Sequence, residues 1–403
     1  MIGNEAGDAD TIVSAITLAY VESFANVKIL KTPLVSITKA DFATQRPEVK
    51  LLLNLANITN PTKWLFFLDD QVVQKTSASM SADVTLVDHN VVENSLMEKN
   101  WSVVEIVDHH VDKGLYLETC TGNNRTIAFA DEKALVASTC TLVAERTKST
   151  LSPPYPASLS LLLLGVILLD SVNLSNEVGK VTERDRDAVQ DLLQNTNWNS
   201  LPRATLKALN VATSSTETSL PDTNALFVLL QNAKYDVDFW ESLPVQDALR
   251  YDYKDFVPFT ATNTSFGIAT ILMDSKVFFA KDVVLTCVAN FMSDIQISFL
   301  AIMFAFQDHN DEASIVRQLA LFAASPTFPM DDLVSSLLTD PNASILELHE
   351  RDDISKLIPQ KSKTDPTVVL FDQQNVKPSR KQIGPILAHY FEAQQDQPTR
   401  DKA

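Results

Sequence analysis

Three short apolar runs, "WLFFLDD" (64–70), "DVTLVDHN" (83–90) and "SVVEIVDHH" (102–110), each end in acid. Near-continuous apolar runs of this length read as strands buried on both faces, which suits a parallel sheet covered by helices. The flanking sequence agrees. "TIVSAITLAYVESF" (11–24) and "EVKLLLNLAN" (48–57) carry apolar residues at helical spacing, and "TPLVSI" (32–37) reads as a short strand. The resulting βαβ alternation predicts an α/β fold. Open parallel sheets bind ligands beyond the carboxyl ends of their strands, and Asp88 and Asp108 fall there.

A chain of 403 residues is too long for one ordinary core, so two domains are expected. The Ser/Thr-rich stretch around 213–224 reads as a linker. It separates an N-terminal domain (1–212), with a mainly parallel sheet flanked by helices, from a smaller α+β domain (225–392). Residues 393–403 read as a disordered tail. Net charge is −18, which argues against a nucleic-acid partner because phosphate neutralisation needs a basic field. Cys120, Cys140 and Cys287 are odd in number and lack metal-ribbon spacing, which fits a reducing compartment. The apolar run at 159–169 is too short to span a membrane, and no membrane partner is expected.

Chemistry concentrates in four places: Asn4, Asp8 and Asp10 in "GNEAGDAD"; Asp88, His89 and Asn90 in "VDHN"; Asp108, His109 and His110 in "VDHH"; and Asp170 after the long apolar run. Three of the six histidines lie among them. Each residue alone has a plainer account. Asp10 could cap a helix, Asp88 could close an Asx turn with Asn90, and either His109 or His110 could be a hydrogen-bonded structural histidine. Asp69 and Asp70 read as a solvated strand end. Asp170 is harder to dismiss, because a buried unpaired carboxylate is costly. Several carboxylates converging on imidazole imply balancing cations, and Mn²⁺ or Mg²⁺, with Co²⁺ as a further option, suits these ligands. Two such ions about 3.5–4 Å apart would activate a water and clamp a phosphoryl group. Of the eight glycines, Gly3, Gly7, Gly114, Gly165 and Gly384 fall within about five residues of a motif, where a backbone turns sharply or approaches a ligand.

In order, GNExxDxD, VDHN, VDHH and an Asp ending an apolar helix resemble the DHH phosphoesterase superfamily, in the branch of family II pyrophosphatases, yeast-type exopolyphosphatases and prune proteins. "LRYDYKDF" (249–256), "FGIATI" (266–271) and "PSRKQIGPIL" (378–387) are similar to the DHHA2 domain. The resemblance implies an active site in the cleft between two domains. It implies metal ligation by Asp8, Asp10, Asp88, His109 and Asp170, catalytic roles for Asp108, His109 and His110, and substrate binding by Asn4, His110, Lys254, Arg380 and Lys381. Family II pyrophosphatases carry His where this chain has Asn4, and animal prune proteins typically have Arg where it has His110. The implied activity is therefore that of a cytosolic, monomeric exopolyphosphatase releasing terminal orthophosphate from linear polyphosphate. The alternatives are a prune-like short-chain polyphosphatase or phosphodiesterase, a manganese-dependent pyrophosphatase, or an inactive interaction scaffold. The fold normally places a central strand before the first motif, yet only Met1 and Ile2 precede Gly3, so a truncated start is expected, with Asn4 and Asp8 less firmly held.

Overall fold

The computed structural model describes residues 1–25, 28, 30–75, 81–92, 101–177, 179–212, 219–256, 266–308, 311–358 and 366–395. Residues 213–218 of the expected linker and 396–403 of the expected tail lie outside the described residues. The chain divides into two compact units, Met1–Lys234 and Tyr235–Ala403.

In the first unit, helix α1 (Ala9–Ala25) is followed by strand β1 (Leu34–Val35), helix α2 (Pro47–Leu55) and the strands β2 (Phe66–Phe67), β3 (Ala82–Val87), β4 (Trp101–Asp108) and β5 (Arg125–Ile127). All pairings among these strands are parallel. Ile2 bridges Leu34 and Leu86 in the same sense, donating to Thr85 O (2.9 Å) and accepting from Val87 N (2.9 Å). Ile2 thus lies in the sheet between β1 and β3, just ahead of the first motif, and the sheet runs β2–β1–Ile2–β3–β4–β5. The apolar runs form its interior: Val84, Leu86, Val87, Val103, Ile106 and Val107 are all buried. "WLFFLDD" contributes only the two-residue β2, of which Phe67 is buried and Phe66 exposed.

Helices α3 (Thr139–Thr150), α4 (Ala157–Asp170), α5 (Glu183–Gln194) and α6 (Thr223–Lys234) complete the unit. Helix α4 is apolar on all sides, the signature of a fully enclosed helix. Every residue from Leu159 to Leu168 is buried, against α1, α2, α3, α5 and α6. At about 1.5–3 kcal/mol per buried leucine, this helix anchors the core and fixes where its last residue, Asp170, emerges. The boundary between the units falls after Lys234 rather than at 225, because Leu226 and Leu230 of α6 bury in the first core, Leu230 against Gly165. Among the described residues no helix is long and apolar enough to cross a membrane.

The second unit is built on a six-stranded mixed sheet. Its strands are β6 (Tyr253–Phe256), β7 (Phe266–Ile271), β8 (Phe299–Asp308), β9 (Asp311–Ala323), β10 (Leu348–Glu350) and β11 (Thr367–Gln373), ordered β10–β11–β9–β8–β7–β6. Only β7 and β8 pair in parallel. Ala269, Ile271, Ile302, Phe304 and Phe322 cluster on one face with α7 (Val245–Tyr251) and α8 (Val284–Asp294). Phe266, Ile268, Met303, Leu319 and Leu321 cluster on the other with α9 (Met330–Thr339) and α10 (Arg380–Gln395). Period-two alternation puts these residues on opposite faces, and both faces are apolar because both are covered.

Candidate metal centre

Strands β3 and β4 end side by side and deliver Asp88 and the Asp108–His109–His110 run. Asp88 leaves β3 in the left-handed region (φ 64°), its amide donating to Val107 O at 2.9 Å. Such a conformation in a residue other than glycine carries strain that surrounding contacts must hold. The first motif wraps tightly beside it. A Cβ on Gly3 would stand 2.2 Å from Thr11 Cγ2, so only glycine lets the loop approach α1 this closely. Gly7 turns at φ 56°. Buried Arg46 then locks the loop by donating to Gly7 O (2.6 Å) and Ala6 O. Asp8, not Asp10, caps α1, accepting from Thr11 N at 3.0 Å.

Asp88, His109 and His110 bring one ligand atom each within 4.8 Å of one another. His109 Nε2 lies 3.4 Å from Asp88 Oδ1 and 3.8 Å from Asp10 Oδ2. His110 Nδ1 lies 3.7 Å from Asp88 Oδ1 and 2.8 Å from Asp108 Oδ1. His109 Nδ1 is 3.1 Å from Val136 O. A carbonyl can only accept, so Nδ1 carries the proton, and in the neutral ring Nε2 directs its lone pair at two carboxylates. Asn4 donates to Asp88 Oδ2 (2.9 Å) and Asp88 O (3.2 Å), while its own oxygen accepts from Ala6 N (3.0 Å). Its amide is therefore spent on Asp88 and on the loop.

Negative charge accumulates here and is only partly offset by neighbouring cations. Burial, then the charges of Asp10, Asp8 and Asp108, push the Asp88 carboxyl well above its usual range, against the Thr11 hydrogen bond. Asp170 is raised to about 8 by burial and by Asp10, partly offset by Lys234, with Asp8 adding to the rise and Lys180 opposing it. Its Oδ2 is sealed from solvent with no hydrogen-bond partner among the described residues. Burial would raise Asp108 as well, but the hydrogen bond and charge of His110 and the hydrogen bond from Asn90 hold it well below the carboxylate range. An orphaned carboxylate oxygen, mutually repelling acids and an imidazole lone pair aimed at them form a donor set that suits a hard or borderline divalent cation.

In the second unit, Lys254 lies on β6 and is half-buried, whereas Lys381 is exposed in the first turn of α10. Arg380 opens that helix and donates to Asp252 O (2.9 Å), with Asp252 Oδ1 at 2.8 Å. Lys254 shares a strand face with Phe256, whose ring packs on Gly384 of α10. Lys254 and the start of α10 therefore occupy one side of the sheet.

The start of α3 also belongs to the centre, although the sequence reading did not single it out. Asp10 accepts from Ser138 Oγ (2.6 Å), Thr139 N (2.8 Å) and Cys140 N (3.0 Å). Thr139 Oγ1 donates to Asp88 Oδ1 (3.0 Å) and Thr11 Oγ1 to Asp88 Oδ2 (2.7 Å). Asn90 Nδ2 holds Asp108 Oδ2 (2.6 Å). Buried Asp185 fixes the segment from behind, accepting from Ala137 N (3.0 Å) and Thr141 Oγ1 (2.6 Å). The available signal was "ASTCT" (137–141), a Ser at the N-cap of a helix following an apolar residue.

Residues 1–166 match the DHH family, N-terminal domain, and residues 229–390 match the DHHA2 domain. A mouse (Mus musculus) protein named "Exopolyphosphatase PRUNE1" is 28% identical over 397 residues, covering 98% of this chain and 76% of that protein. A Schizosaccharomyces pombe protein named "Putative exopolyphosphatase" is 32% identical over 203 residues, 47% of this chain and 48% of its own. The crystal structure of a "Methanococcus jannaschii putative family II inorganic pyrophosphatase" superposes with a TM-score of 0.57 at 16% identity, covering 97% of this chain and 98% of its own, a likeness of fold.

Proposed function

We propose, from the premise that this chain belongs to the DHH–DHHA2 phosphoesterases, that it is a metal-dependent exopolyphosphatase, hydrolysing the terminal phosphoanhydride of linear polyphosphate to orthophosphate. The observation that carries the reading is the His109 ring, turned by Val136 O so that Nε2 meets Asp88 and Asp10. That arrangement is reconciled by cations. Asp8, Asp10, Asp88, His109 and Asp170 would hold two of them, Mn²⁺ or Mg²⁺, with Co²⁺ also compatible. When bound, such ions lower the pKa of a water and neutralise charge on a phosphoryl group.

The chain's own residues supply the rest. Asp108, held ionised, accepts from His110 Nδ1 and favours the imidazolium, whose other nitrogen can donate to a phosphoryl oxygen. Asn4, Thr11 and Thr139 keep Asp88 at its strained position, so its orientation does not depend on the substrate. Lys254, Arg380 and Lys381 bind phosphates, Arg380 as a planar fork and the lysines as point charges. The leaving group is itself a phosphate, which reduces the need for a general acid. Three unpaired cysteines support a cytoplasmic setting.

The test is orthophosphate release from medium-chain polyphosphate and, in parallel, from pyrophosphate, with Mn²⁺ or Mg²⁺ and with EDTA as control. Metal-dependent release favouring polyphosphate is expected. A preference for pyrophosphate would move the assignment to that substrate, and no release from either would leave an interaction scaffold.

A further inference from the structure

We infer that Arg317, on β9, is a further phosphate-binding residue of the second unit, gripping the polyphosphate chain beside the contacts offered by Arg380 and Lys254. The inference rests on the polyphosphatase reading above.

Arg317 pairs with Ala305 of β8 on one side and Gln373 of β11 on the other. Directly opposed residues share a sheet face, so the Arg317 and Gln373 side chains lie next to one another, about 5 Å apart at the backbone. Gln373 Nε2 donates to Asn375 O (2.7 Å) and Pro378 O (3.0 Å). Pro378 stands immediately before Ser379, Arg380 and Lys381. One cross-strand step and one hydrogen bond thus connect Arg317 to the helix start that carries Arg380. Leu319 and Leu321 share the Arg317 face and bury in the cluster beneath α10. Lys254 lies on this face as well.

Among the described residues no carboxylate answers Arg317. Its side chain makes neither a hydrogen bond nor an ion pair among the described residues, and its Nε is sealed from solvent. Burial lowers its pKa, with the Tyr235 phenol the group that opposes the shift. Asp372, the neighbour of Gln373 along β11, alternates to the opposite face, where Gln318 Nε2 donates to it at 3.1 Å. Asp252 is engaged by Arg380. A half-buried guanidinium whose Nε is sealed from solvent, with no counter-charge among the described residues, is costly, and an apolar side chain would suit a face that buries Leu319 and Leu321. An arriving phosphate oxygen would meet both needs, since the guanidinium fork matches its geometry. The plainer account is a structural tie to Gln373, whose Oε1 is also buried without a partner among the described residues.

Arg317→Gln and Arg317→Lys in the full chain separate the two accounts. Steady-state phosphate release from medium-chain polyphosphate gives KM against kcat, calorimetry with EDTA present gives binding without turnover, and thermal melting reports on the fold. For Arg317→Gln, KM and the dissociation constant should rise roughly tenfold, the loss of one charge-assisted contact. Arg317→Lys, which keeps the charge, should lose less. Unchanged affinity in Arg317→Gln, with or without a lower melting temperature, overturns the proposal. If the parent chain releases no phosphate but binds polyphosphate through Arg317, the hydrolase reading fails and this one stands. Turnover with a KM indifferent to Arg317 gives the reverse, and absence of polyphosphate binding by the parent sinks this proposal too.

Discussion

Asp88 and Asp10 in the first unit receive hydrogen bonds from Asn4, Thr11, Ser138, Thr139 and Cys140, and both carboxylates are buried. In the second unit the Lys254 and Lys381 side chains make no hydrogen bond or ion pair among the described residues, and the Arg380 side chain is tied to Asp252 alone. The acidic group is preorganised, and the basic group is left to adapt. A metal centre tolerates little misplacement, because each ligand must point at one spot and be held there by neighbours. A grip on a repeating chain of phosphates gains from side chains that can settle on whichever oxygen arrives. Substitutions should therefore act steeply in the first unit and shallowly in the second.

The steepest effect should come from Asp88→Asn and His109→Ala. Each removes a proposed ligand from a fixed set, and turnover should drop by roughly 10²-fold or more. Metal content by elemental analysis should fall with it. Full activity with full metal content in either variant would break the comparison at its strongest point.

Next is Thr139, which touches no proposed substrate and acts through Asp88 and Asp10. Thr139→Val deletes the hydroxyl bond to Asp88 while preserving volume, and a loss of about 10- to 100-fold in metal affinity is expected. Thr139→Ser should restore most of it. If Val and Ser behave alike in a metal titration, preorganisation by α3 is not what holds the centre.

Asp170 gives a pH test of the same idea. Its folded pKa, about 8, stands above the ordinary carboxyl value of about 3.9. A group raised in this way contributes its stability below the unfolded pKa, and that contribution is lost as pH rises toward 8. Metal-free Asp170→Asn should therefore melt higher than the parent at pH 8, with the advantage vanishing near pH 4–5. Metal binding needs the carboxylate, so parent affinity should weaken by roughly tenfold per unit as pH falls below 8, for one displaced proton. A pH-independent gap between the two proteins would show that Asp170 is not held among like charges.

The same contrast governs what was legible in the sequence. Strands β3 and β4 announced themselves because apolar runs ending in Asp and His are unusual, and α4 because eleven apolar-run positions (159–169) leave it no polar face. Asp185, Thr139 and Val136 O were not legible, because a supporting donor looks like any Ser, Thr or backbone group until folding brings it to its partner. Ile2 carries no strand signal either, because periodicity cannot register a two-residue segment even where it bridges both neighbours. β2 shrank to two residues because Asp70 accepts from Phe67 N at 2.9 Å, turning the chain early. Arg317 sits in a long strand, where one charge reads as an edge or end position, and only its pairing with Gln373, which donates to Pro378 O, ties it to the segment leading into α10.

The smallest effects separate Arg380 from Lys381 on adjacent positions of one helix. Arg380 is positioned by Asp252, so Arg380→Ala should raise KM for polyphosphate roughly tenfold. Lys381 is an exposed point charge, worth at most about 1 kcal/mol, so Lys381→Ala should raise KM only about two- to fivefold. Salt discriminates between them. At about 1 M ionic strength the Debye length shrinks to roughly 3 Å, and the Lys381 effect should disappear while most of the Arg380 effect persists. Steady-state KM at low and high salt for both variants is the measurement. Equal losses with equal salt dependence would mean that the second unit holds its cations as firmly as the first holds its acids, and the division between a rigid centre and an adaptable grip would have to be given up.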